Sequence, residues 1–100
     1  EIISGLIQCE SSGVTSTIVL DVNGKYSYGW LQFQLGTFKH YAERYNKIQK
    51  NLTNEELRKL VMIPELTKEL ATEMINDNFE NWEHWYNCGR KLKLDKGPRL

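Results

Sequence analysis

The first apolar residues of the chain, Ile2, Ile3, Leu6, Ile7 and Cys9, recur at the three-and-four spacing of one helical face. Ser11, Ser12 and Gly13 stop that helix. The pattern then changes: Ile18–Val22 and Lys25–Tyr28 flank an Asn23-Gly24 pair. Asn and Gly tolerate positive φ at both centres of a tight turn, so the spacing predicts a two-stranded ribbon. Helical spacing returns at Leu35, Phe38, Ala42 and Tyr45, predicting a helix from about Gly36 to Asn46. Thr53 and Glu56 have the capping-box arrangement and open a short helix to about Val61. Pro64 suits the first turn of another helix, with Glu65 at its positive end. That helix buries Leu66, Leu70, Ala71, Met74, Ile75 and Phe79. A last helix, near Asn81 to Lys93, aligns Trp82, Trp85, Cys88, Gly89 and Leu92. The expected fold is α+β, mostly α, with one small β-hairpin that needs helices to pack on.

Glu10 sits where this pattern calls for an apolar side chain, three residues after Ile7, four after Leu6 and seven after Ile3. A carboxylate on an apolar face is desolvated, which disfavours its charged form and raises its pKa. Such a group can carry a proton near neutral pH and deliver it to a leaving oxygen. Alternatively, the helix ends at Glu10 and the side chain turns to solvent.

At 100 residues the chain makes a single domain with one core, and it begins abruptly inside a helical pattern, as a trimmed N-terminus would. Its hydrophobic fraction of 40% and charged fraction of 26% are those of a globular protein. Thirteen basic side chains balance 13 acidic ones, which argues against nucleic acid as a partner. The cationic tail from Gly89 to Leu100 reads as a solvated terminus with at most a peripheral polyanion contact. No apolar run reaches the length of a membrane span, and a monomer is expected. Cys9 and Cys88 lack metal-ligand spacing, so zinc is not expected. They are either two buried thiols or a disulfide clamping the last helix to the first. The Trp- and Tyr-rich surroundings of Cys88 favour the bond, which would point to an oxidising compartment. Asp21 and Asn23 hint at a calcium loop, but Gln32 stands where the twelfth-position acid belongs. No metal and no cofactor are expected. His40 and His84 lack ligand spacing, and the sequon at Asn51 is read as coincidence because Thr53 serves as a helix cap.

Glu10-Ser11 at a helix end, then a hairpin, then Tyr28-Gly29 with Leu31-Gln32 close behind, resembles the lysozyme-like superfamily. Within it, the order is most similar to soluble lytic transglycosylase-type domains. The resemblance covers mainly residues 2–45. It implies that Glu10 protonates the glycosidic oxygen of peptidoglycan, then acts as base. It implies that Gln32 bonds a sugar or the reacting centre, against the alternative of a buried amide tying hairpin to helix. Ser11, Ser27 and Tyr28 are further candidate substrate contacts, and Gly29 would allow close backbone approach or simply make a turn.

One departure bears on the chemistry. Where animal-type lysozymes place a second carboxylate just before the Tyr-Gly pair, this chain has Ser27. Double-carboxylate glycosidases need that second group at a defined separation. The nearest remaining acid is Asp21, either a turn-stabilising side chain or a second carboxylate of an inverting muramidase. With a single carboxylate, lytic transglycosylation is favoured, because the substrate's own hydroxyl is the nucleophile. Trp82, Trp85 and Tyr86 form an aromatic cluster. Trp82 and Trp85 fall on the core stripe, while Tyr86 lies off it as the better candidate sugar contact. The competing function is a weakly catalytic or non-catalytic saccharide-binding module of a virion or envelope. Extracellular, periplasmic or phage-borne action fits either.

Overall fold

The computed structural model describes residues 1–98. The chain runs α1 (Ile2–Ser11), β1 (Ile18–Leu20), β2 (Tyr26–Tyr28), β3 (Phe33–Gln34), α2 (Leu35–Arg44), α3 (Asn54–Val61), α4 (Pro64–Asp77) and α5 (Tyr86–Lys91). Two 3₁₀ segments, Phe79–Trp85 and Leu94–Lys96, flank α5. The fold is α+β and dominated by helices, as expected. No helix among the described residues is long and apolar enough to cross a membrane.

Local signals account for the starts of α3 and α4. Thr53 accepts from the Glu56 N–H at 3.1 Å while Glu56 accepts from the Thr53 N–H at 2.8 Å, completing the capping box of α3. Pro64 occupies the first turn of α4, where no amide hydrogen is needed. Leu6, Phe38, Leu57, Val61, Leu70, Ala71 and Met74 converge from four helices on one core. Leu66 and Ile75 flank it only partly buried, and Thr67 is buried in their place, its hydroxyl satisfied by the Pro64 carbonyl at 2.9 Å.

Three local expectations are corrected. The ribbon turn is not the expected one, because only Gly24 takes positive φ, at 82°. The Gly24 N–H bonds the Asp21 carbonyl, and the Asp21 N–H bonds the Lys25 carbonyl. This is a type I turn followed by a left-handed glycine, a wider connection than a two-residue loop. The ribbon is also shorter than predicted and gains a third strand: Ser27 pairs with Gln34 and Tyr28 with Phe33. The last helix is broken. Asn78 starts the 3₁₀ turn by accepting from the Glu80 N–H at 3.0 Å, and Asn81 donates to the Met74 carbonyl at 2.8 Å. Three residues per turn bring Phe79, Trp82 and Trp85 to the same side. Trp82 and Trp85 are buried there, whereas Leu92, expected on the buried face, is exposed.

Cys9 and Cys88 form a disulfide, joining α1 to α5 across 79 residues of chain. This fits a protein that folds in an oxidising compartment. The residue after Cys88, Gly89, has no room for a side chain, because a Cβ there would come within 2.4 Å of the Trp82 ring.

Candidate active site

The end of α1 is locked to the loop that follows the ribbon. The buried Ser11 hydroxyl, an acceptable bonding partner for two carbonyls in turn, lies 3.1 Å from Ile7 O and 2.8 Å from Trp30 O. The Trp30 indole N–H reaches Gly13 O at 3.0 Å. Helix α1 continues one residue past Glu10 and stops at Ser12, whose φ of 55° is left-handed. These contacts bring Glu10 next to the sheet, with the disulfide at its other neighbour, Cys9.

Glu10 lies at a cleft of about 470 Å³ whose lining includes Asp21, Ser27, Gln32, Gln34, Trp85 and Tyr86. The Glu10 carboxyl is partly buried, and its pKa rises from 4.5 to about 7. Burial is the main cause. The Asp21 charge adds to the rise, and the Lys91 cation opposes it. The carboxyl therefore retains its proton to near neutrality.

Asp21 shares the cleft and is held from two strands. Its Oδ2 accepts from the Ser27 hydroxyl and from the Gln34 amide, the latter at 2.7 Å. Turn stabilisation falls instead to Asn23, whose Oδ1 accepts from the Lys25 N–H at 3.0 Å. The Asp21 side chain is thus free of the turn, contrary to its structural alternative, and reaches into the cleft.

The other candidates divide between the cleft and the framework. Gln32 lines the cleft but also ties the ribbon to its loop, its amide donating to Gly29 O at 2.8 Å and Thr17 O at 3.2 Å. Its φ of 51° is unusual for a residue with a side chain, and those two bonds hold it there. Ser27 lines the cleft as a donor to Asp21. Tyr86 stands at the cleft with its ring exposed, stacked on Trp82 at 5.8 Å between centroids. Ser11 and Tyr28 do not line it: Ser11 fastens the framework, and Tyr28 packs against the core. Gly29, with φ 77°, makes its close approach to the Val61 carbonyl, 3.1 Å from where a Cβ would stand. Its positive φ, more than this contact, favours glycine there.

Gln34, Thr37, His84 and Asn87 also line the cleft and were not singled out as site residues from the sequence. Gln34 depends on β3, which spans two residues and has no period to read. His84 carried one signal, its place inside the aromatic cluster. Among the described residues no group of acidic, His and Cys side chains could hold a metal ion. No family model, curated protein or solved structure matches this chain.

Proposed function

We propose that this protein cleaves the glycan strand of peptidoglycan, at the bond between N-acetylmuramic acid and N-acetylglucosamine, with Glu10 as general acid and base. The observation that carries this reading is a carboxyl with a pKa of about 7 at the edge of a cleft bordered by an exposed aromatic ring. A protonated Glu10 donates to the glycosidic oxygen as the bond to the anomeric carbon breaks. In the transglycosylase route, the muramoyl C6 hydroxyl then attacks that carbon. The Glu10 carboxylate takes the hydroxyl proton, leaving a 1,6-anhydro product and restoring the starting acid. No water is consumed.

Asp21 supports a second route within the same class. Held by Ser27 and Gln34 in the same cleft, it could orient a water for direct inversion, giving a reducing end. We place transglycosylation first, because Asp21 already accepts two side-chain donors on one oxygen, a role that a purely architectural acid fills equally well.

Zymography on purified cell walls, with Glu10→Gln beside the parent, tests the class. The parent is expected to clear the wall and the variant to leave it intact; equal clearing removes Glu10 from the mechanism. Mass spectrometry of the released muropeptides separates the routes. Products lighter by one water indicate the anhydro form, whereas reducing ends indicate hydrolysis through Asp21.

A further inference from the structure

We propose that His84 contacts the saccharide in the cleft, its Nδ1 accepting a hydrogen bond from a sugar hydroxyl or an acetamido N–H. This rests on the glycan reading of the site and assigns a binding role to a side chain that the Glu10 chemistry does not use.

Asn81, Tyr41 and His84 form a chain of contacts along which each proton has one place. The Asn81 amide nitrogen donates to the Met74 carbonyl at 2.8 Å, which fixes which end of that amide is its oxygen. The oxygen faces Tyr41 and accepts from its hydroxyl at 3.3 Å. A phenol has one proton and an amide oxygen can only accept, so both Tyr41 contacts are made together when that proton goes to Asn81. With the Asn81 bond kept, the 2.9 Å contact between the Tyr41 oxygen and His84 Nε2 is satisfied by a proton on the imidazole. In a neutral ring with Nε2 protonated, Nδ1 carries a lone pair. No group among the described residues hydrogen-bonds to Nδ1. His84 lines the cleft. Its ring orientation is held by edge contacts to Tyr41 and Trp85, at 5.1 and 6.3 Å between centroids.

Partial burial keeps the ring neutral by pushing the His84 pKa below the usual imidazole value, with His40 adding to the fall and Glu83 opposing it. Glu83 lies on the same 3₁₀ segment, His40 and Tyr41 come from α2, and Glu10 and Asp21 share the cleft. Pyranose hydroxyls and acetamido N–H groups are donors, so a fixed acceptor favours orientations of the sugar that point one of them at it. Acid reverses the polarity: once Nδ1 is protonated it can no longer accept.

The test uses a Glu10→Gln background, which removes cleavage and the Glu10 titration together. Binding of an N-acetylglucosamine hexamer is followed by tryptophan fluorescence, since Trp85 lines the cleft. His84→Gln places its amide near the Nε2 position, keeping the Tyr41 contact but losing the acceptor; His84→Asn restores a group near Nδ1. We expect His84→Gln to weaken binding about 5- to 10-fold, the worth of one hydrogen bond, and His84→Asn to stay within about 2-fold of the background. Affinity should also fall on acidification in the His84 protein and change less in the Asn variant. Unchanged affinity in His84→Gln, with the background binding normally, overturns the His84 role alone. Absence of binding in the background overturns the glycan reading and this proposal with it.

Discussion

Replacing Glu10 with Gln should make the protein more stable at alkaline pH while abolishing its proposed activity. The carboxyl pKa stands at about 7 in the folded chain against 4.5 for the ordinary group. Between those values the folded state binds more protons than the unfolded one, so stability falls as pH rises through that window. Above about pH 7 the folded protein holds a carboxylate in a site that disfavours its charge. At about 1.4 kcal/mol per pH unit, the rise from 4.5 to about 7 is worth at most about 3.5 kcal/mol. Glu10 is only partly buried, and solvent screening reduces this to about 2 kcal/mol. Glutamine fills nearly the same volume without the charge. For a 100-residue domain, about 2 kcal/mol corresponds to roughly 10 °C in Tm. Thermal melts of both proteins from pH 4 to pH 8.5 check this: the variant should pull ahead as pH rises and the gap should close below about pH 4.5. A Tm difference that stays flat across the range would refute the claim that burial holds the proton on Glu10. The proposed cleavage should follow the same titration, its rate falling as pH rises past about 7, where the general acid is lost.

Asp21→Asn removes the neighbouring charge that raises the Glu10 pKa, and Lys91→Ala removes the one that lowers it. The alkaline limb of the pH–rate profile should therefore move down in the first and up in the second; shifts of the same sign would contradict the electrostatics. Replacing Cys9 and Cys88 together with Ser opens a loop spanning 79 residues and should cost about 3–5 kcal/mol in urea denaturation, whereas a loss below about 1 kcal/mol would mean that α1 and α5 are held mainly by packing. Gly89→Ala drives a methyl to within 2.4 Å of the Trp82 ring, so despite the better helix propensity of Ala a net loss of about 1–3 kcal/mol is expected. A gain in stability would show that the Trp82 ring gives way freely.

Much of the architecture could be read from near neighbours along the chain. The α3 cap needed only Thr53 and Glu56, three residues apart, and Pro64 marked the start of α4 by its missing amide hydrogen. The elements that were misread are those set by specific hydrogen bonds, which hydrophobic spacing does not record. Asn23-Gly24 suggested a two-residue turn, but the connection is widened by Asp21 bonding to Lys25 and Gly24. The Trp-rich segment has a spacing that helix and 3₁₀ turns share over short runs, and Asn81 binding back to Met74 decides for the tighter coil. In the site, Ser11 and Tyr28 are adjacent in sequence to residues that matter, yet their side chains point into the framework.

Sequence alone placed an acid on an apolar stripe, located the first four helices with the start signals of α3 and α4, and put Tyr86 outside the core face. It left open whether Glu10 meets solvent, whether Asp21 braces a turn and whether Cys9 meets Cys88. The folded chain decides each, because periodicity reports only which way a side chain faces along its own element. The Glu10 pKa, the hold of Ser27 and Gln34 on Asp21, and the bond from Cys9 to Cys88 all depend on groups brought together through space, over separations that no local pattern records.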